Sequence, residues 1–337
     1  MAHNVVKKRR LNKPNSNQVE PTSIVKTRPK RKAAQKPTKG AATSKRKQQS
    51  DSDDQNSESE EWEESTEENS DKDSSEKQER EDEEEDETVI DDKSFKKAKL
   101  KVPHPQGAPF ADALSPDTMQ FMAELKVNNN RDFMLHYQKR WHQARQDFID
   151  FVGQIIPQLH EMDHTIMVQE PKDAIYRQNR DLRFTNDLRP YKTYLSASFS
   201  RGGKKSPFAG YHLSIGPGDE TFVAAGIWQP SSNILARMRQ GVMDNADLMR
   251  EALSIDAMEK IFGKSGLALL DDSDKLKVAP KNVDKNHPEI EMLRYKSMTI
   301  SKNFTDEEVV SEGFLDRILD VYDALIPFIA VLNSWTG

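Results

Sequence analysis

The spacing of apolar residues divides the chain beyond residue 110 into helical and extended parts. An apolar stripe recurs at three and four positions for about seven turns and predicts the longest helix, kinked at Pro157. Its members are Phe133, Tyr137, Trp141, Ala144, Phe148, Val152, Ile155 and Leu159. Residues 193–200, 208–215 and 221–228 alternate between apolar and polar or run apolar. With glycine-rich turns between them, they predict an antiparallel meander.

Residues that satisfy free helix ends mark further boundaries. Ser115 before Pro116 predicts the cap of a short helix that carries Phe121, Met122 and Leu125 on one face. Other signals are Ser231 or Ser232, Asp244 or Asn245 and Pro288 as helix starts, Gly263 as a stop, and Thr305 with Glu308 as a capping box. A fourth strand is predicted at 298–304 and a last amphipathic helix from Phe314 to Leu332. This order predicts an α+β domain over 103–337, an antiparallel sheet packed with helices.

Charge separates this domain from the residues before it. Residues 1–49 carry 15 Lys and Arg against one Glu, a net charge of +14. Residues 50–92 carry 23 Asp and Glu against three cations, a net charge of −20, and the remainder has 32 of each sign. Neither block has enough apolar surface to offset the entropy of ordering. We therefore expect a long disordered tail, basic over 1–49 and acidic and low in complexity over 50–100.

The basic part contains three clusters, Lys7–Arg10, Arg28–Lys32 and Lys45–Lys47. Such clusters are typical of segments that bind a nuclear import receptor or polyanions. We expect the nucleus as the location, and nucleic acid or chromatin proteins as partners of the tail. The alternative is a solvated arm, and the acidic block is either a histone-like contact, a mask for the basic arm or a spacer. Four serines before acidic residues are candidates for phosphorylation: Ser50, Ser52, Ser57 and Ser59.

Several classes of protein are excluded or disfavoured. The chain has no cysteine, which excludes disulfides, a thiolate nucleophile and a Cys-based zinc site. No apolar run approaches the roughly 18 residues needed to span a membrane, and the N-terminus has no apolar core of a signal peptide. His160 to His164 match the zinc motif H-E-x-x-H, but they follow Pro157 at a helix end and no third ligand motif follows. We expect no membrane contact, no metal and no cofactor.

A tract before the first strand carries the candidate chemistry. It contains five cations within a span of sixteen residues: Arg177, Arg180, Arg183, Arg189 and Lys192. Guanidinium groups and an ammonium that converge would bind phosphate or carboxylate. The predicted ligand-binding residues are Arg177, Arg180, Asp181, Arg183, Tyr191, Lys192 and Arg201, with Lys204 and Lys205 as further cations. The alternative is a salt-bridge network in which Asp181 and Asp187 neutralise the arginines.

Four segments together resemble a known family. They are RxNRDxRFxxDxxPYKTxxxxxF from Arg177, RGGKKSPFAGYHLSIGPG from Arg201, GIWQP from Gly226 and HPEIEMLRYKS from His287. They are similar to the bacterial and fungal family known as domain of unknown function 2461, over about residues 110–335. In that family lysine usually follows the position of Asp187, whereas here Leu188 and then Arg189 follow. The resemblance implies a fold and no activity.

The function predicted from these residues is a nuclear protein whose domain binds an anionic, phosphate-bearing ligand or nucleic acid. One alternative is an enzyme that acts on a phosphorylated or carboxylated substrate, with Asp181 or another carboxylate as acid or base. Another is a scaffold that binds proteins. Trp228, at the end of a predicted strand, is either part of the core or a stacking platform, and we predict the core because aromatic rings are usually buried.

Overall fold

The computed structural model describes residues 94–98, 100 and 110–337. The chain divides into two units, Met1–Asp82 and Glu83–Gly337, and every described residue belongs to the second. The predicted basic tail and most of the predicted acidic segment lie outside the described residues.

Helices and strands follow the predicted order. The helices are α1 (Pro116–Val127), α2 (Arg131–His136), α3 (Gln138–Met162), α4 (Pro171–Ala174), α5 (Ser232–Leu253), α6 (Asp256–Phe262), α7 (Ile290–Leu293), α8 (Asp306–Val309) and α9 (Phe314–Thr336), with a 3₁₀ turn at Gly266–Leu269. The strands are β1 (Leu195–Ser200), β2 (Gly210–Ile215), β3 (Thr221–Ile227) and β4 (Met298–Phe304).

The strands form one antiparallel sheet in the order β1-β2-β3-β4. The predicted meander and the predicted fourth strand are confirmed, and the domain is α+β. In the register, Ser198 lies opposite His212, and His212 lies opposite Ala224. Opposed residues of an antiparallel pair share a face of the sheet. These three residues therefore lie side by side across three strands.

One face of the sheet packs against α3 and α9. The phenol rings of Tyr211 on β2 and Tyr322 on α9 are 4.9 Å apart, and the Tyr322 hydroxyl donates to the His212 carbonyl. Phe314 of α9 stacks on Phe151 of α3 with 5.5 Å between ring centroids. Each of these four side chains is at most 2% exposed. The core therefore lies between the sheet and these two helices.

Most predicted helix boundaries are confirmed. The Ser115 hydroxyl accepts from the Asp117 amide, and the Thr305–Glu308 capping box is present. Gly263 ends α6 in the left-handed conformation, and α5 has a non-helical break at Asn245, close to the predicted second start.

Two helix predictions need correction. The apolar stripe from Phe133 is not one helix, because Tyr137 has non-helical angles (φ −103°, ψ 28°) and separates α2 from α3. The helix after Pro288 begins two residues later than predicted, at Ile290.

A short segment before α1 also belongs to the fold. The Lys96 backbone N–H donates to the Asn128 side chain, and that side chain donates back to the Lys96 carbonyl. The Phe95 ring meets Phe133 at 5.3 Å. Contacts of the folded domain therefore extend back to Phe95.

Candidate functional site

The predicted arginine tract forms a loop at the β1 edge of the sheet. An isolated bridge joins Asn179 to Tyr191, and the Lys192 amide donates to the Gln178 carbonyl, so residues 177–192 fold back on themselves. We call this segment the arginine hairpin. Its base is held on the helical layer because the Asn129 side chain bonds both the N–H and the carbonyl of Tyr191.

Carboxylates within the hairpin bind most of its arginines. Asp181 accepts from the backbone and guanidinium of Arg183, with a shortest distance of 2.6 Å. Asp187 accepts in the same way from Arg189 at 2.6 Å, and Arg180 Nη1 lies 2.8 Å from the same oxygen, Oδ2. These are the ion pairs that the salt-bridge interpretation predicts. Arg189, two positions after Asp187, is placed to form this pair.

The ion pairs lower the pKa of both carboxyl groups. Hydrogen bonds from the Arg183 side chain hold the pKa of Asp181 well below its usual range. Bonds from the Arg189 side chain do the same for the pKa of Asp187. Both carboxylates stay ionised and occupied with arginine. Arg177 is exposed beside this network.

The second face of the sheet borders a cavity of about 770 Å³, which we call the sheet cleft. Its floor includes small and polar residues of all four strands: Ser198, His212, Ala224, Gly226, Thr299 and Ser301. Its walls include aromatic and aliphatic side chains: Tyr176, Phe208, Trp228 and Ile234. The volume lies in the range of small-molecule sites.

A chain of hydrogen bonds crosses the floor of the sheet cleft. The Tyr176 hydroxyl donates to Ser198 Oγ at 3.2 Å, and Ser198 Oγ lies 2.8 Å from His212 Nδ1. Burial, and then the charge of Lys192, lowers the pKa of His212 to about 4. The imidazole is therefore neutral at pH 7, and its Nδ1 can accept the Ser198 proton.

Two lysines converge on Tyr176 at this end of the cleft. Lys192 Nζ lies 5.4 Å and Lys204 Nζ 5.8 Å from the centroid of the Tyr176 ring. Lys204 Nζ also donates to the Ile175 carbonyl at 2.6 Å. Of the predicted cations, Lys204 thus lines the cleft, and Lys192 lies against Tyr176, a residue of its wall. Arg180, Asp181 and Arg183 are engaged with one another or with Asp187, in the hairpin.

Other predicted residues have different surroundings. Arg201 lies over the Phe208 ring, with 3.7 Å from Cζ to the centroid, and supports a wall of the cleft from behind. Trp228 is 56% exposed, so the prediction that it belongs to the core is wrong. Its neighbour Gln229 has a positive φ of 44°, and its N–H donates to Ser297 Oγ, which turns the chain away from the sheet at this point.

His160 and His164 each contact a backbone carbonyl through Nδ1, at 2.7 Å to Ile166 and 2.9 Å to His160. Within the described part of the chain, no group of three or more His, Asp or Glu side chains is placed to hold a metal ion. Likewise, none of the described helices is both long enough and apolar enough to cross a membrane.

Sequence reasoning missed Tyr176, Ser198 and His212. Strand alternation contained a signal, since it puts Ser198, His212 and Ala224 at outward positions of adjacent strands. The pairing register was needed to bring them together.

The fold and the cleft define an α+β domain with one sheet face on helices and the other lining a small-molecule-sized cavity. Residues 117–330 match the family model described as "Conserved hypothetical protein (DUF2461)", and the chain belongs to this family. No curated protein and no solved structure matches the chain.

The depressed pKa of His212 predicts a pH dependence of stability. An unfolded histidine titrates near pH 6.5 and the folded one near 4, so the unfolded state binds the proton first as the pH falls. The stabilisation is complete above about pH 6.5, and about 3 kcal/mol of it is lost by pH 4. Urea unfolding at pH 7.0 and 4.5 should show a smaller pH effect in His212→Asn than in the wild type.

The matched control is His142→Asn, because His142 is an exposed histidine on α3. It should keep the wild-type pH dependence. An equal loss of stability in wild type and His212→Asn between the two pH values would contradict a buried neutral imidazole.

Proposed function

We propose that the domain binds a small anionic ligand, one that carries a phosphate or carboxylate, in the sheet cleft. The observation that carries this proposal is the convergence of Lys192 and Lys204 on Tyr176 beside the hydrogen-bond chain. Lysine ammonium groups bind phosphate and carboxylate oxygens as compact positive charges. The Tyr176 hydroxyl supplies a further polar group at the same place.

Charge distribution supports this location. Among the residues that line the cleft, the one carboxylate is Asp271, whose backbone N–H donates to the Thr299 carbonyl on edge strand β4. Lys204 is at the opposite edge, since it bonds Ile175, which bridges to Ala197 of β1. The cationic end is thus separated from Asp271 by the width of the sheet, and an anion is attracted to that end.

The arginine hairpin is a weaker candidate for the anion site. Asp181 and Asp187 already accept the bidentate bonds of Arg183 and Arg189. A ligand anion would have to displace a carboxylate from each fork. The hairpin therefore acts in this proposal as the support that places Lys192 against Tyr176, in the wall of the cleft.

Inorganic pyrophosphate should raise the melting temperature of the full chain through the cleft. At ten times its dissociation constant, a ligand adds about 1.4 kcal/mol to the stability of the folded state, or roughly 3–6 °C for a domain of this size. Lys204→Met and Lys192→Met should each lose most of this rise, measured by differential scanning calorimetry against the same variant without ligand.

Arg183→Gln serves as the control because Arg183 is an exposed cation paired with Asp181, outside the cleft. It should retain the full rise. General salt stabilisation would appear equally in all variants. Equal rises in wild type and both lysine variants, or no rise in the wild type, would contradict the proposal.

A second function is favoured by one specific contact, the 2.8 Å approach of Ser198 Oγ to a neutral imidazole inside the cleft. In this alternative, the domain is an enzyme for phosphorylated or carboxylated esters. Ser198 Oγ attacks the phosphorus or carbonyl carbon as its proton passes to His212 Nδ1, and that proton then moves to the departing oxygen. Water then attacks the ester formed on Ser198 by the same route, which releases the acid and restores the Ser198 hydroxyl.

The enzyme alternative predicts a covalent adduct with diisopropyl fluorophosphate. The mass of the full chain should rise by one diisopropylphosphoryl group, Ser198→Ala should give no adduct, and His212→Asn should react more slowly by about 100-fold or more. The control is Ser254→Ala, which removes an exposed hydroxyl on the end of α5. No adduct in the wild type, or an equal one in Ser198→Ala, would contradict the enzyme.

For the tail we propose nuclear import, with nucleic acid or chromatin proteins as partners. The support is the sequence itself, three basic clusters within 49 residues that have a net charge of +14. Charge density of this kind binds acidic grooves and phosphate backbones. The formal charge of the domain beyond residue 92 is zero, so this attraction belongs to the tail.

A fluorescent fusion of the full chain should accumulate in the nucleus of a eukaryotic cell. Replacing the cations of Lys7–Arg10, Arg28–Lys32 and Lys45–Lys47 by glutamine should abolish accumulation, as seen by microscopy. Lys281→Gln with Lys285→Gln, exposed on the domain, should leave it unchanged. Cytoplasmic wild-type protein would contradict the proposal.

A further inference from the structure

The end of the sheet cleft has an aromatic slot that the anion proposal does not explain. Gly210 and Gly226 are cross-strand partners at the last paired position of β2 and β3. Phe208 precedes Gly210 by two residues and Trp228 follows Gly226 by two, just beyond the ends of the two strands. Both aromatic residues line the cleft. The slot therefore consists of two aromatic walls and a floor without side chains.

The floor of the slot has no side chains because the neighbouring backbone leaves no room for a Cβ at either glycine. Gly226 has a φ of 131°, and a Cβ there would overlap the Met298 carbonyl oxygen. A Cβ on Gly210 would overlap the Phe199 carbonyl oxygen. Neither position accepts a side chain without a shift of the neighbouring strand. A flat group can therefore approach the main chain closely at this place.

Both walls are held in position by contacts outside the slot. Phe208 is covered on one side by the guanidinium of Arg201, 3.7 Å from its centroid. Trp228 precedes Gln229, whose unfavourable positive φ is maintained by the bond from its N–H to Ser297 Oγ; Ser297 in turn donates to Asp274. Backbone strain of this kind concentrates at functional sites. The result is that a large indole, 56% exposed, lies at the cleft and not in the core.

Both rings border the same cavity. Aromatic faces in such an arrangement bind flat heteroaromatic groups by stacking, with little dependence on the identity of the ring.

We propose that the ligand of the sheet cleft is a nucleotide, with its base stacked on the aromatic side chains of the slot, Trp228 and Phe208, and its phosphates at Lys204 and Lys192 beside Tyr176. This rests on the proposed function for the phosphate end, while the slot supplies the base end. A nucleotide carries both groups that the two ends would bind, a flat base and a phosphate, within one molecule. Because stacking is tolerant of the base, ADP and UDP should both bind.

The test compares probes that share parts of a nucleotide. Binding of ADP, inorganic pyrophosphate and adenosine to the full chain is measured by isothermal titration calorimetry. ADP should bind at least about tenfold more tightly than pyrophosphate, because it adds the stacked base. Trp228→Ala should weaken ADP binding by about 10-fold to 100-fold and leave pyrophosphate unchanged, and Trp228→Phe should stay within about threefold of the wild type.

The matched control is Phe184→Ala, which removes an aromatic ring that is 76% exposed on the arginine hairpin, outside the cleft. It should bind ADP like the wild type. The tail is the same in every variant, so binding by its basic clusters cancels in these comparisons. An affinity for ADP that is unchanged in both Trp228→Ala and Lys204→Met would mean that the tail binds ADP, and it would overturn the inference.

The remaining outcomes separate the two ends of the site. Equal affinity for ADP and pyrophosphate, with both lowered by Lys204→Met, would overturn the base slot and leave the anion site standing. Adenosine binding that depends on Trp228, with no gain from the phosphates of ADP, would support the slot and contradict the anion site. Absence of binding by adenosine, ADP and pyrophosphate would overturn both.

Discussion

Burial of one face of the sheet against α3 and α9 is the interaction on which the rest of the structure depends. Side chains alternate along a strand, so each residue that packs inward places its neighbour on the opposite face. Tyr211 and Leu213, both at most 1% exposed, thereby hold His212 between them on the cleft side. Ser198 and Ala224 are placed in the same way on β1 and β3. The sheet cleft is thus built by the core and positioned by regular backbone.

Charged side chains of the arginine hairpin pair with near neighbours in the sequence. Asp181 and Asp187 each bind an arginine two positions later, and Arg180 joins the second pair. These pairs shape the hairpin and engage the guanidinium groups of Arg180, Arg183 and Arg189. Lys192, at the end of the hairpin, and Lys204, in the loop after β1, meet instead at Tyr176. A domain of zero formal charge can therefore present a cationic end to one cavity.

Local signals predicted much of the fold. The caps at Ser115 and Thr305, the αL stop at Gly263 and all four strands depend on residues within about one turn or one strand of each other. The break at Tyr137 escaped prediction because the apolar stripe continues through it, and periodicity does not detect a single non-helical residue. The exposed position of Trp228 was not predicted because it depends on the bond between the next residue, Gln229, and Ser297, which are 68 positions apart.

The sequence by itself determined the fold class, the family and the division between a charged tail and a neutral domain, since these follow from periodicity, motifs and composition. It also identified the cations near β1 and their two possible roles. Only the tertiary structure decided which carboxylates bind the arginines and which lysine lines the cleft. Ser198 and His212 are 14 residues apart and Lys204 and Ile175 are 29 apart. Contacts at such separations are set by strand register and loop closure, which local residue patterns do not encode.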